Sequence, residues 1–205
     1  MTMPLNSAQM GLLVLSYLSG AIPSGYLIAK RVKGIDIREY GSGNPGAANV
    51  YRVCGKAQGI ATAILDILKG YIPTYLAFSL GPDSLFFPIA AGVLAVIGHN
   101  WTIFLKFRGG KGVATSAGVF AGLLPLPTLC ATGAFALGTK LSGHISVGSM
   151  AAAVTLPLSS VLLGAPRSLS IMALGVGVII LIRHISNIKR LLSGGEFFAG
   201  SLKKG

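Results

Sequence analysis

The stretch Val113-Ala-Thr-Ser-Ala-Gly-Val-Phe-Ala-Gly-Leu-Leu-Pro-Leu-Pro-Thr-Leu-Cys-Ala-Thr-Gly-Ala-Phe-Ala-Leu-Gly-Thr-Lys-Leu141 decides the architecture of this chain. Taken as one apolar segment interrupted by Pro125 and Pro127, it crosses a bilayer once. Taken as Val113–Leu126 followed by Thr128–Leu141, it crosses twice. A spanning helix needs about 20 residues, so each half is short. Two prolines that cannot donate to a helical ladder nevertheless favour a break. The choice sets the side on which everything after it emerges.

Similar apolar stretches flank it near Gln9–Ala29, Ile60–Leu80, Leu85–Leu105, Ile145–Leu163 and Leu169–Ile182. They are continuous blocks rather than amphipathic stripes, which points to membrane spans. Of the 205 residues 52% are hydrophobic and only 11% charged, with a mean hydropathy of +0.73. A soluble domain carries about 25% charged residues, so the solvent of these segments is lipid. Little chain remains for a second unit, and residues 1–205 read as a single integral membrane domain, an all-α polytopic helix bundle.

Charge settles the count. Lys and Arg number 17 against the five acids Asp36, Glu39, Asp66, Asp83 and Glu196, a net +12. A basic excess suits topology signals, anionic lipid, nucleic acid or an anionic substrate, and its distribution decides among them. With two crossings in the central stretch, 15 of the 17 basic residues fall on one side, in Lys30–Lys56, Lys106–Lys111, Lys140 and Arg183–Lys204. Arg167 is left outside and Lys69 within a span. A single crossing exports the basic C-terminus, against the positive-inside rule. Seven transmembrane helices follow, two of them short, with the N-terminus outside, the C-terminus cytoplasmic, and no call for a nucleic-acid partner.

The first stretch has no Lys or Arg ahead of it, as a signal peptide would, and Lys30 and Arg31 follow at once, a stop-transfer pattern. The expected outer loops, Gly81–Ser84, Pro125–Pro127 and Gly164–Ser168, are very short. Gly92, Gly118, Gly122, Gly175 and Gly177 read as helix-packing positions. Cys54 and Cys130 have neither metal spacing nor a disulfide framework.

Three segments on the basic side carry candidate chemistry. In Gly41-Ser-Gly-Asn-Pro-Gly-Ala-Ala-Asn49, Gly41, Gly43 and Gly46 match GxGxxG, but no buried strand precedes them, so a dinucleotide site is not expected. Glycines still let backbone N–H groups approach an anion. Ser42, Asn44 and Asn49 add neutral donors, and Arg52 a bidentate fork. In Lys106-Phe-Arg-Gly-Gly-Lys-Gly112, Lys111 is a point charge between Gly109, Gly110 and Gly112, suited to phosphate. It is no Walker loop, because Gly112 replaces the Ser or Thr. In Arg183-His-Ile-Ser-Asn-Ile-Lys-Arg190, leading to Gly194-Gly-Glu196, His184 and Asn187 share a face if the last span continues as a helix. Asp66 and Lys69, at i,i+3 inside a span, form either a self-neutralised pair or a site; His99 either is satisfied at the interface or supports the site.

What is missing also informs. No His has an Asp five positions on: Phe104, Ser149 and Lys189 stand there. Five scattered acids do not build an Asp-rich metal site. Chemistry here is expected to run on cations and oriented backbone, with no metal and no cofactor.

At these segments the chain resembles the bacterial acyl-phosphate:glycerol-3-phosphate acyltransferase family. The carrying residues are Ser42-Gly-Asn-Pro-Gly-Ala-Ala-Asn49 with Arg52, Phe107-Arg-Gly-Gly-Lys-Gly-Val-Ala-Thr115, and Arg183-His, Asn187-Ile, Arg190-Leu-Leu, Gly194 and Glu196. The run Asp66, Lys69-Gly70 and Pro73 fits too, and the resemblance covers nearly the whole chain. Arg108 stands where Lys is usual, Thr102 near an expected Pro, and His144 is unusual between Lys140 and Ser146.

The resemblance implies seven helices, an outside N-terminus and a cytoplasmic-side site in the bacterial inner membrane. It also implies transfer of a fatty acyl group from acyl phosphate to the 1-hydroxyl of glycerol 3-phosphate. Phosphate is then expected to be gripped by Ser42, Arg52 and Lys111, aided by the loop 43–46, by Asn49, by Gly109 and Gly112, and in particular by the amides of Gly43 and Gly110. His184 and Asn187 are expected to orient glycerol 3-phosphate and Glu196 to fix the C-terminal segment. The rival class is an organic-phosphate transporter, which needs a site near the midplane reachable from both sides.

Overall fold

The structure is a computed structural model that describes residues 6–81 and 84–199. Asp83, in one expected outer loop, and Lys203 and Lys204 of the expected cytoplasmic tail lie outside the described residues. The described residues form ten α-helices and two short 3-10 turns, with no strand. The helices are α1 (Ser7–Ala21), α2 (Ser24–Lys33), α3 (Ala47–Cys54), α4 (Lys56–Leu80), α5 (Phe86–Asn100), α6 (Val113–Leu123), α7 (Pro125–Ser142), α8 (Ile145–Leu162), α9 (Arg167–Arg183) and α10 (Ile185–Leu192).

The central stretch does break, one residue earlier than the prolines suggest. Leu124 leaves the helical region with φ −140° and ψ 67°, as the residue before a proline is pressed to do. Pro125 and Pro127 are not a loop; they open α7, where a missing N–H removes no helical bond. The first apolar stretch, expected as one helix, is divided at Ile22-Pro23 into α1 and α2. The break leaves the Ile22 carbonyl to accept a hydrogen bond from Lys69 Nζ (2.8 Å).

Neighbour contacts give the direction of each helix. Leu12 of α1 packs with Ala77, Phe87 and Ala91, while Gly20 abuts Ala95 and Gly98 abuts Tyr17. Hence α1 runs parallel to α5 and antiparallel to α4. Gly118 and Gly122 lie against Ile67 and Tyr71, so α6 runs with α4. Ser159 Oγ donates to Pro127 O (3.4 Å) and Gly148 meets Phe135 and Thr139, so α8 opposes α7. Met172 reaches Gly92 and Arg183 reaches Asn100, so α9 runs with α5. This alternation gathers the three glycine-bearing segments at one end of the bundle.

The core lies between α5, α6, α8 and α9, around Val96, Val119, Phe120, Leu156, Met172 and Val176. Large apolar side chains such as Leu15, Ile64, Leu129, Leu162 and Ile171 face outward, the pattern of a surface solvated by lipid rather than water. Gly92, Gly118 and Gly177 are packed against neighbouring helices as expected, but Gly175 has open space around it. Each of the seven apolar stretches becomes helix. By length and composition, four segments suffice to cross a membrane, Ser7–Lys33, Lys56–Leu80, Phe86–Leu105 and Ile145–Leu162, and five if the bent α9–α10 pair counts. The 11 residues of α6 reach only about 16 Å.

Candidate functional site

The first glycine segment is folded by its own side chains. Asn49, buried on α3, donates Nδ2 to the carbonyls of Ile37 (3.2 Å) and Tyr40 (2.9 Å) and accepts the Ser42 N–H (2.9 Å) on Oδ1. Asn44 Oδ1 accepts the Gly46 N–H (2.9 Å), which starts α3. Gly43 holds φ +70°, a conformation costly for any residue with a Cβ, and its N–H bonds Tyr40 O (3.0 Å). Asn49 and the Gly43 amide, expected to meet ligand, are thus committed to shaping the loop. Left open are the Ser42 hydroxyl, the Asn44 amide and the first N–H groups of α3, which have no acceptor a turn earlier.

The second segment is sewn to the end of α5. Gly109 N–H donates to Asn100 O and Gly110 N–H to His99 O, both at 3.1 Å. A Cβ on Gly109 would strike the His99 carbonyl, and one on Gly110 the His99 ring. From the other side, Arg183 Nη2 donates to the carbonyls of Gly109 (3.0 Å) and Gly110 (2.7 Å). The Gly110 amide is therefore not free for phosphate, a correction to the expectation from sequence. Open donors come instead from the start of α6 at Val113 and Ala114, the positive end of a helix dipole. Lys106 and Arg108 are exposed and behave as anchors. Lys111 turns inward.

The third segment differs from expectation in its backbone. Instead of continuing, α9 stops and α10 departs at 50°. His184 causes the break chemically. Its Nδ1 bonds the Ile180 carbonyl (2.8 Å), an acceptor its own N–H would use in an unbroken helix, and that N–H bonds Leu181 O (3.0 Å) instead. A carbonyl partner requires hydrogen on Nδ1, so in the neutral ring Nε2 is the acceptor. On α10, Asn187 Nδ2 donates to Glu196 Oε1 (2.6 Å) while its Oδ1 accepts from Lys111 Nζ. Glu196 Oε2 accepts from Arg190 Nε (2.8 Å).

These parts meet at one cavity of about 360 Å³. One end presents Ser42, Asn44, Arg52, Lys111, His184 and Asn187; the other is built by Phe120, Ala131, Phe135, Ala153 and Leu156. Gly46, Asn49 and Gly112 also line it, whereas Gly43, Gly109, Gly110 and Glu196 act from behind. Burial lowers the Lys111 pKa to about 8, with Glu196 opposing and Arg190, Arg52 and Arg183 reinforcing the fall. Arg52, 5% exposed, is pushed down by burial and keeps its Nε unpartnered. Burial pushes Glu196 up, but hydrogen bonds from Asn187 and Arg190 hold it below the usual carboxylate range. Among the described residues Glu196 is outnumbered by Arg52, Lys111 and Arg190, so positive charge is in excess. Among the described residues no three His, Cys, Asp or Glu side chains gather.

Reasoning from sequence missed Ser146 and Ser149 of α8, which line the polar end. The only signal was their i,i+3 spacing at the start of an apolar run. It also left Asp66 and His99 open; both reach the cavity wall, and Asp66 Oδ1 lies 2.7 Å from Lys69 Nζ and 3.8 Å from His99 Nδ1.

The family described as glycerol-3-phosphate acyltransferase matches residues 10–194. A glycerol-3-phosphate acyltransferase of Endomicrobium trichonymphae is 45% identical over 184 residues, 90% of this chain and 92% of that one. That of Halalkalibacterium halodurans is 42% identical over 199 residues, 94% and 96% of the two chains. The crystal structure of PlsY (YgiH), an integral membrane glycerol 3-phosphate acyltransferase, in its glycerol 3-phosphate form superposes with a TM-score of 0.90 at 38% identity, covering 96% of this chain and 98% of that one. Its lysophosphatidic acid form gives 0.86 at 37% identity, with the same coverage.

Proposed function

The chain belongs to the glycerol-3-phosphate acyltransferase family, and we propose that it moves a fatty acyl group from acyl phosphate to the 1-hydroxyl of glycerol 3-phosphate. The products are 1-acyl-glycerol 3-phosphate and inorganic phosphate, and the step opens phospholipid synthesis. The observation that carries this reading is a single cavity with two unlike ends. Lys111, Arg52 and the open amides of α3 and α6 form an electropositive head, and Phe120, Phe135 and Leu156 an apolar tail.

Acyl phosphate is a mixed anhydride, already activated, so no acyl-enzyme is needed. Ser42, Arg52 and Lys111 grip phosphate, that of glycerol 3-phosphate as well as that of the donor, whose acyl chain lies in the apolar part of the cavity. Glycerol 3-phosphate is oriented by Asn187 and His184. The 1-hydroxyl oxygen bonds to the acyl carbon, and the bond from that carbon to the phosphate oxygen breaks. Phosphate leaves with its negative charge held by the cations and amides, and the hydroxyl proton passes to a phosphate oxygen. Burial first, and then like charge from Lys111, disfavour imidazolium at His184, so its Nε2 serves as a hydrogen-bond acceptor rather than the resting place of the proton. Catalysis is orientation and electrostatic complementarity, running on cations and backbone without a metal.

We further propose that α1–α2, α4, α5, α6, α7, α8 and α9 make seven crossings of a bacterial inner membrane. The N-terminus is then outside, with the site and α10 at the cytoplasmic face. The alternating helix directions and the basic charge of Lys30–Lys56, Lys106–Lys111 and Arg183–Arg190 support that placement. The test gives purified protein acyl phosphate, acyl-CoA and acyl carrier protein separately with glycerol 3-phosphate. Turnover with acyl phosphate alone is expected; turnover with only a thioester donor would overturn the donor assignment.

A further inference from the structure

Beyond Glu196, the C-terminal strap has no part in the reaction as derived above, and the family match stops at residue 194. The strap nevertheless touches Arg52 of the electropositive head and two residues of α10 beside it. Glu196 bonds Asn187 and Arg190. The Phe197 carbonyl accepts from Arg52 Nη2 (3.5 Å), and its ring has Arg52 at 5.3 Å and Arg190 at 5.6 Å from the centroid. Two guanidiniums thus lie against one aromatic ring. The strap then crosses to the turn between α7 and α8. There Ala199 N–H donates to Gly143 O (2.7 Å), and the Phe198 ring packs on His144 with centroids 4.6 Å apart.

We propose that residues 196–199 form a positioning strap for Arg52 of the phosphate pocket, with the Phe197 ring holding Arg52 beside Arg190 and the His144–Phe198 contact as its anchor. The argument is electrostatic. Arg52 and Arg190 repel one another, and burial costs Arg52 hydration. Before an anion arrives, only fixed groups can keep such cations inward. An aromatic ring attracts a guanidinium at its face, and the Phe197 carbonyl and Glu196 carboxylate add directed acceptors. A strap anchored at its far end keeps those acceptors in place, so less ordering remains to be done when substrate binds. His144, otherwise distant from the chemistry, gains a role as the anchoring surface. Phe197 and His144 are positioning residues, acting through the arginines and not on substrate.

This inference rests on the acyl-transfer reading, and the experiment separates the two. Wild-type enzyme and the variants Phe197→Leu, Phe197→Tyr, His144→Ala, Phe198→Ala and the His144→Ala/Phe198→Ala pair are assayed with acyl phosphate and glycerol 3-phosphate, with Tm recorded for each. Inactive wild type sinks the acyl-transfer reading itself. With active wild type, Phe197→Leu is expected to raise KM for the phosphate substrates about three- to thirtyfold, with kcat changing less, and Phe197→Tyr to restore it. The two anchor substitutions are expected to be non-additive, the double variant no worse than the weaker single one. Wild-type KM in Phe197→Leu, or a fall in Tm and kcat at constant KM, overturns the strap as a positioning device. Additive anchor effects overturn the assigned anchor.

Discussion

Two buried ionic clusters in this bundle are built on opposite terms. Asp66 and Lys69 stand 2.7 Å apart, both nearly inaccessible, and Lys69 also donates to the carbonyl that Pro23 frees at Ile22. That cluster is balanced by its own charges, although Asp66 also reaches the cavity wall. At the end where the three glycine-bearing segments meet, Glu196 is, among the described residues, the acid that faces Arg52, Lys111 and Arg190, and Arg52 and Lys111 look into a cavity. That cluster is completed only by an anion from outside. The lesson is that charge within a membrane protein marks a binding site when it is left unbalanced beside an opening, and a structural joint when it is not.

The sharpest way to break the comparison is to unbalance the balanced cluster. Lys69→Met leaves Asp66 buried without its cation, and is expected to cost about 3–5 kcal/mol, read as a lowered Tm in detergent. The Asp66→Asn/Lys69→Met pair should recover most of that loss. An unchanged Tm with abolished activity in the single variant would move this cluster into the catalytic site. Arg52→Ala works in the opposite sense. It is expected to lower kcat/KM by about 10²- to 10³-fold, the scale of removing one donor from an oxyanion site, without lowering Tm, because like-charge repulsion is relieved.

Titration sharpens the contrast further. Burial brings the Lys111 pKa down from 10.5 to about 8, so the Lys111 cation is present below pH 8 and lost above it. KM for glycerol 3-phosphate is expected to climb above pH 8 by up to about tenfold per unit. Lys111→Arg, which stays charged, should flatten that rise; an equally steep rise in Lys111→Arg would assign the titration elsewhere. The smallest effect belongs to His184→Gln. If a phosphate oxygen takes the proton, kcat should fall by less than about tenfold, whereas loss of a general base costs about 10²- to 10⁴-fold.

Much of this was legible in the residues. Lipid forces every backbone N–H and C=O into internal pairing, so long apolar blocks had to become helices, and all seven did. Lys111, Arg52 and Asn187, which line one cavity, stood out because a lysine between glycines and paired polar residues on the basic side have few structural uses. Illegible were features decided by single backbone bonds. Asn49 looks like a ligand donor until the carbonyls of Ile37 and Tyr40 are seen to claim it. His184 breaks a helix that its sequence continues, because an imidazole competes with an amide for one carbonyl. The strap is four ordinary residues whose meaning depends on Arg52, 145 positions from Phe197, and on a turn at Gly143. No local pattern encodes such contacts.

The central claim is that cations and polar groups from three distant segments form one phosphate pocket. Equilibrium binding of radiolabelled glycerol 3-phosphate to wild type and to Lys111→Ala in detergent, without any acyl donor, tests it most directly. Saturable binding by wild type, weakened at least about tenfold in Lys111→Ala, the scale of a charge-assisted hydrogen bond, is the predicted result. Equal affinity in both proteins would contradict it.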